Sequence, residues 1–168
     1  MSMMGNFFRT DAKTIQQIQR GELFLGDLVY GKNGEMARDD ILSVDKSWHA
    51  IHFTLSGRVW DSTNDPLSKM IISGNFVNDE DMGYGPAMLV TDEEVCDINN
   101  DLKMVSEDWF REKFSISDMC DNEVYPTAFW SVEDDDEIFD YIYTFFRDVI
   151  DFYKKAESNK QCVLFYVN

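Results

Sequence analysis

His49 and His52 are the only histidines in the chain, and they stand three positions apart. On a helix that spacing places both imidazoles near one surface, with Asp45 one turn before His49. A carboxylate that orients an imidazole is the arrangement a general base needs. A helical histidine pair with a carboxylate can also offer three ligands to zinc. The third ligand would have to come from Asp45 or a distant loop, and no H-E-x-x-H pattern is present, so no metal is assigned. The plainer reading of either ring is structural, an imidazole hydrogen-bonded at the edge of a core.

Gly83-Tyr84-Gly85-Pro86 is the second polar constellation. It lacks both G-x-G-x-x-G and a following Lys-Ser/Thr, which removes nucleotide binding, and no other cofactor motif occurs. Two glycines and a proline around an aromatic describe a sharply bent backbone that projects the Tyr84 ring. Its hydroxyl could donate in a pocket or cap a buried carbonyl.

The search for a nucleophile gives little. Ser43, Ser47, Ser56 and Ser68 lie near the histidine segment, without a G-x-S-x-G elbow. Cys96, Cys120 and Cys162 form no C-x-x-C pair, and their odd number points to a reducing compartment. Cys96 and Cys162 read as small buried hydrophobes. Cys120 sits among acids and reads as a poor nucleophile. The acidic runs at 79–81, 92–94 and 133–137 lack the ligand order of a calcium loop and read as turns and helix caps.

Several elements must position these groups. Residues 3–9 read as a strand, followed by a helix over 11–20 with Thr10 as N-cap and Gly21 beyond its end. Residues 21–42 read as a loop. Asp45 is expected to cap a helix through Ser56, stopped by Gly57, with Trp48, Ile51, Leu55 and Val59 on its buried stripe. His49 is expected beside Asp45 and Ser56. Leu67 to Val77 reads as one bulged strand or two short ones, 78–81 as a solvated turn, and Met88–Val90 as extended. Thr91-Asp-Glu-Glu94 is a capping box that opens a helix over 92–104. Ser106 caps another, and 115–126 reads as irregular. The run from Glu133 opens a long amphipathic helix to about 157, and Cys162–Val167 is a β-prone inner strand.

The chain carries 32 acids against 15 bases, a net charge of −17. Such a field repels nucleic acid and anionic membranes over a Debye length, about 8 Å at physiological salt. It attracts a basic protein and otherwise serves solubility. No signal-peptide pattern opens the sequence and no apolar run approaches a membrane span, so a cytoplasmic location is expected. With 168 residues and 44% hydrophobic content, residues 1–168 read as a single compact domain that mixes helices and strands, a small mixed sheet packed with about five helices. Oligomeric state is not specified.

Four segments together resemble the YfbM-like family of uncharacterised bacterial proteins. They are Met4-Gly-Asn-Phe7, the run from Leu42 through Asp45-Lys46-Ser-Trp48-His49-Ala-Ile51-His52 to Gly57, Gly83-Tyr84-Gly85-Pro86-Ala87, and Val163-Leu-Phe-Tyr-Val167. The resemblance spans essentially the whole chain and implies one α+β domain with no established activity and no catalytic residues to transfer. Ser47, Ala50 and Met88 depart from it, where Ala, Gly and Arg are more usual. The missing arginine weakens any anion-binding role for the glycine turn.

The two marked segments lead to a spatial expectation: His49, His52, Asp45 and Tyr84 as catalytic candidates around one concavity with Trp48 as floor or wall, and Trp48, Gly83, Gly85 and Pro86 as binding residues. Two functional readings follow. One is an acidic protein-binding module, immunity-like or antitoxin-like, that inhibits a basic partner. The other is a small-molecule hydrolase or ligand-binding protein using the His/Tyr/Asp pocket, with Tyr84 donating to developing negative charge.

Overall fold

Alternation along the last strand, Cys162–Val167, sorts the molecule into two layers around a sheet. Val163 and Phe165 join one buried cluster and Cys162, Leu164 and Tyr166 the other, as a period of two requires. The computed structural model describes residues 2–31, 38–127 and 134–168. Within them the chain runs β1 (Gly5–Thr10), α1 (Ala12–Gln19), α2 (Leu25–Tyr30), β2 (Ile41–Ser43), α3 (Trp48–Ser56), β3 (Phe76–Asp81), β4 (Pro86–Val90), α4 (Asp92–Leu102), α5 (Glu107–Lys113), α6 (Ile116–Asp121), α7 (Asp135–Ser158) and β5 (Cys162–Val167).

The five strands lie in the order β2-β1-β5-β4-β3, with β5 at the centre. The class is α+β. Every pairing among the described strands is antiparallel rather than mixed, and the described helices number seven rather than about five. Helices α3–α7 cover the face that carries Phe7, Val90 and Phe165; α1 and α2 cover the face that carries Phe8, Leu89 and Leu164. Helix α7 is the main support of the first core, with Ile142, Phe146, Val149 and Tyr153 fully buried. Burying each such side chain contributes about 1.5–3 kcal/mol.

Several local expectations are corrected. Thr10 ends β1, and the N-cap of α1 is Asp11, whose carboxylate accepts from the Thr14 amide. The presumed loop over 21–42 contains α2 and β2. Asp45 does not cap α3; it has a left-handed φ of 48°, and the helix begins at Trp48. Gly57 does stop it, at φ 66°. Leu67–Lys69 is a 3₁₀ turn, and the strand starts only at Phe76, running through the residues read as a solvated turn. Helix α6 occupies part of the irregular stretch, capped by Ser115. Cys96 is exposed, whereas Cys162 is buried. The capping box at Thr91 is present with both of its hydrogen bonds, and the N-cap of α7 is Asp134, Glu133 lying outside the described residues.

Candidate functional site

Trp48 sets the position of the histidine helix. Its side chain lies directly on Gly5 of β1, where an added Cβ would stand 2.7 Å from Trp48 Cβ, Cγ and Cδ1. Only glycine allows that approach. The indole Nε1 donates to Met3 O at 3.2 Å, and the Met3 amide donates to the Tyr125 hydroxyl at 3.0 Å. The indole also packs on the Phe165 ring, 5.7 Å between centroids.

On this platform the His49 ring stacks at 4.7 Å and 11° on Trp48, while Trp60 closes over it at 4.3 Å. Its nitrogens are both engaged. Nδ1 accepts from the Tyr125 amide at 3.0 Å, and Nε2 is 2.7 Å from Val59 O. A carbonyl only accepts, so Nε2 carries the proton and the ring is neutral. His52 repeats half of the pattern, with Nε2 3.0 Å from Asp61 O and Nδ1 buried without a hydrogen-bond partner. The rings are 0% and 1% exposed. Burial pushes the pKa of His49 below its ordinary 6.5 and that of His52 down to about 4. A proton on Nδ1 of His49 would face the Tyr125 N–H, and one on Nδ1 of His52 would be buried with no hydrogen-bond acceptor.

Asp45 lies apart from the imidazole nitrogens. Its carboxylate accepts from the Tyr141 hydroxyl of α7 at 2.8 Å, and its carbonyl accepts from the Gly5 amide at 2.9 Å. Burial and the Asp45 acceptor raise the phenol pKa of Tyr141. The expected pairing of His49 with Asp45 and Ser56 is therefore corrected: Ser56 neighbours His52, with its hydroxyl donating to His52 O at 2.6 Å.

Gly83-Tyr84-Gly85 lies in the turn of the β3–β4 hairpin, and Pro86 opens β4. Asp81 Oδ1 accepts from the amides of Gly83 and Gly85 at 2.9 and 3.0 Å, which holds that carboxyl below its usual pKa. Gly83, at φ 131°, allows close passage of the chain end, since a Cβ there would stand 3.0 Å from Asn168 Cα. Tyr84 donates its amide to Val167 O at 3.1 Å, and its side chain is 44% exposed. Val167 also stands opposite Gly5, the residue under Trp48. The turn and the histidine helix thus lie toward the same end of the sheet, but among the described residues no hydrogen bond or ring contact joins Tyr84 to either imidazole. The concavity beside α3, about 460 Å³, is lined by Phe53–Gly57 at its C-terminal end together with Trp109, Lys113, Asp118 and Asn122. Neither imidazole faces it.

The structure stacks His49 on Trp48 and adds Trp60 and Tyr125 around them, which residue spacing does not reveal; His52 bonds the segment that follows the helix, and Asp45 pairs with Tyr141 instead. Trp60 is 62% exposed, although its ring packs on Trp48 and His49. The exposed tryptophan follows Gly57 and Arg58 closely, but nothing in that sequence marks it as a lid over His49. Among the described residues no group of three or more His, Cys, Asp or Glu side chains is arranged to hold a metal ion. No helix among them is long and apolar enough to cross a membrane.

Residues 1–166 match a family described as a domain of unknown function (DUF1877). The chain is similar to Protein YfbM of Escherichia coli (strain K12), 27% identical over 158 residues that cover 92% of each protein. A solved structure described as the crystal structure of a protein of unknown function, YfbM from Escherichia coli, has a TM-score of 0.74 to this chain. That match covers 98% of this chain and 99% of the other at 23% identity, a likeness of fold.

Proposed function

The chain belongs to the DUF1877 family, whose description assigns no activity, and from that premise we propose that it is a cytoplasmic binding module, immunity-like or antitoxin-like, that captures a basic protein. The carrying observation is the uncompensated negative charge of the helical layer. Between residues 92 and 140 the only bases are Lys103, Arg111 and Lys113. Arg111 is already engaged by Glu107 and Asp136 and lies 3.6 Å over the Phe139 ring; Lys103 bonds Asn100. Acids fill the first turns of α4, α5 and α7. Each suits its helix dipole locally. Together they create a negative field that accelerates encounter with a basic protein and opposes nucleic acid.

The hydrolytic alternative needs a ring nitrogen within reach of a substrate proton. His49 spends both nitrogens on backbone groups, and the free nitrogen of His52 is sealed from solvent. No observation favours that reading over binding. Capture from a lysate of the native host separates the two. Wild type and a His52→Gln variant are expected to retain the same partner at low salt. The triple charge reversal Glu93→Lys, Asp97→Lys, Asp108→Lys is expected to lose it. Undiminished capture by the charge-reversed protein would contradict the proposal.

A further inference from the structure

Strand β2 forms one edge of the sheet, and its bonding directions follow from its neighbours. The Arg9 amide donates to Asp40 O and the Val44 amide to Gly5 O, both at 2.9 Å, while Leu42 stands opposite Phe7. In an antiparallel ladder alternate residues turn their N–H and C=O to the same side. Asp40, Leu42 and Val44 therefore face β1, and Ile41 and Ser43 face outward. The Ile41 amide makes a turn bond to Arg38 O at 3.3 Å. Among the described residues the Ile41 carbonyl and both backbone groups of Ser43 have no hydrogen-bond partner. The opposite edge differs. Strand β3 carries Asp79, Glu80 and Asp81 and a register shift, features that blunt an edge against pairing.

Alongside the open edge, between β2 and α7, runs a concavity of about 580 Å³ whose apolar lining includes Leu42 and Phe152. Most charges around it are matched. Arg38 pairs with Asp40, Lys154 with Asp151 at 3.4 Å, and Lys155 with Asp39 at 3.0 Å. Asp148 also lines it, and among the described residues this carboxylate has no ion-pair or hydrogen-bond partner.

We infer that β2 and α7 form a docking groove in which an extended segment of the basic partner adds to the sheet as a further strand. The inference rests on the binding reading above and locates one of its contacts. The incoming backbone meets the open groups of Ile41 and Ser43, as in strand-addition complexes. On the α7 side, an apolar residue covers Leu42 and Phe152, and a lysine or arginine two positions away reaches Asp148. A second copy of the chain is a poor occupant, because it would bring −17 against −17. The open edge is short, so the side-chain contacts must supply much of the affinity.

The probe is a synthetic peptide, Thr-Lys-Thr-Val-Thr-Lys-Thr-Val, which presents lysine and valine alternately on one face, with a glutamate-for-lysine peptide as control. It is titrated into the full ¹⁵N-labelled chain at low salt. Shifts are expected at Ile41, Ser43 and Asp148, and none with the control. Ser43→Pro removes an outward N–H, a substitution that edge strands tolerate, and Asp148→Lys reverses the unmatched charge. Each is expected to weaken binding roughly tenfold without lowering the thermal midpoint. Equal binding by wild type and both variants, or shifts confined to α4 and α5, overturns the groove and leaves the basic-partner reading standing. No binding of the lysine peptide anywhere overturns both. Should Ser43→Pro fail to fold, Asp148→Lys alone decides.

Discussion

Each imidazole on α3 holds a backbone carbonyl of the segment that follows the helix, Val59 O for His49 and Asp61 O for His52. The pair therefore fastens Trp60 and its neighbours to the helix through Nε2–H donors, and burial of the rings favours their neutral form. The unfolded chain binds protons on these rings at the ordinary 6.5, whereas the folded His52 does so at about 4. Between those values the unfolded state holds more protons, so the contribution is fully present above 6.5 and is lost as pH falls through about 4. For His52 that amounts to roughly 3 kcal/mol. Urea unfolding from pH 7 to pH 4 is expected to show this decline in wild type and a shallower one in His52→Gln, whose amide can still donate to Asp61 O. Parallel curves would show that His52 does not titrate as described. At this scale the sequence placed both histidines on one helix. Their partners were not legible, because Val59, Asp61 and Tyr125 contribute backbone atoms from irregular segments, and Tyr141 reaches Asp45 from 96 positions away.

Elements with their own capping signals were legible. Thr91 and Glu94 satisfy each other's amides within one turn, and α4 forms where expected. Helix α2 has no side-chain cap of its own. Glu80, on β3, supplies one from a distance, its two carboxylate oxygens accepting from the amides of Leu25 and Gly26 at 2.8 Å each. The segment Leu25–Tyr30 consequently looked like loop, since the group that ends its unpaired amides lies 55 positions further on. The same link explains β3, whose acidic composition suggested a turn. Pairing with β4 and the reach of Glu80 to α2 outweigh its weak intrinsic preference. Glu80→Ala is expected to cost about 1–2 kcal/mol, the loss typical of a helix cap. It should also speed amide exchange across α2 while leaving α4 unchanged. Unaltered exchange at Leu25 and Gly26 would show that the cap is dispensable.

At the scale of the whole molecule, charge and fold act against each other. The core of α7 and the central strand β5 is apolar throughout, yet the surface carries a net −17. Most ion pairs among the described residues involve exposed groups and contribute little individually. Self-repulsion should therefore dominate, and raising sodium chloride from low ionic strength to about 0.5 M is expected to raise the thermal midpoint. A falling midpoint would assign the ion pairs a larger share. The mixture of helices and strands followed from periodicity, and the α+β class from the family resemblance. The apolar run Cys162–Val167 marked β5 as an inner strand, as it is, but the rest of the sheet order was not legible, because the pairings with β1 and β4 join segments far apart in the chain. The proposed function rests on the imidazoles being fixed parts of the scaffold, which leaves the acidic surface to act. The most direct test is a long-range ¹H–¹⁵N imidazole spectrum followed through a pH titration. The account predicts that both rings are Nε2–H tautomers at pH 7, with midpoints below 6.5 and that of His52 near 4. An Nδ1–H tautomer in either ring, or a midpoint at or above 6.5, would contradict it.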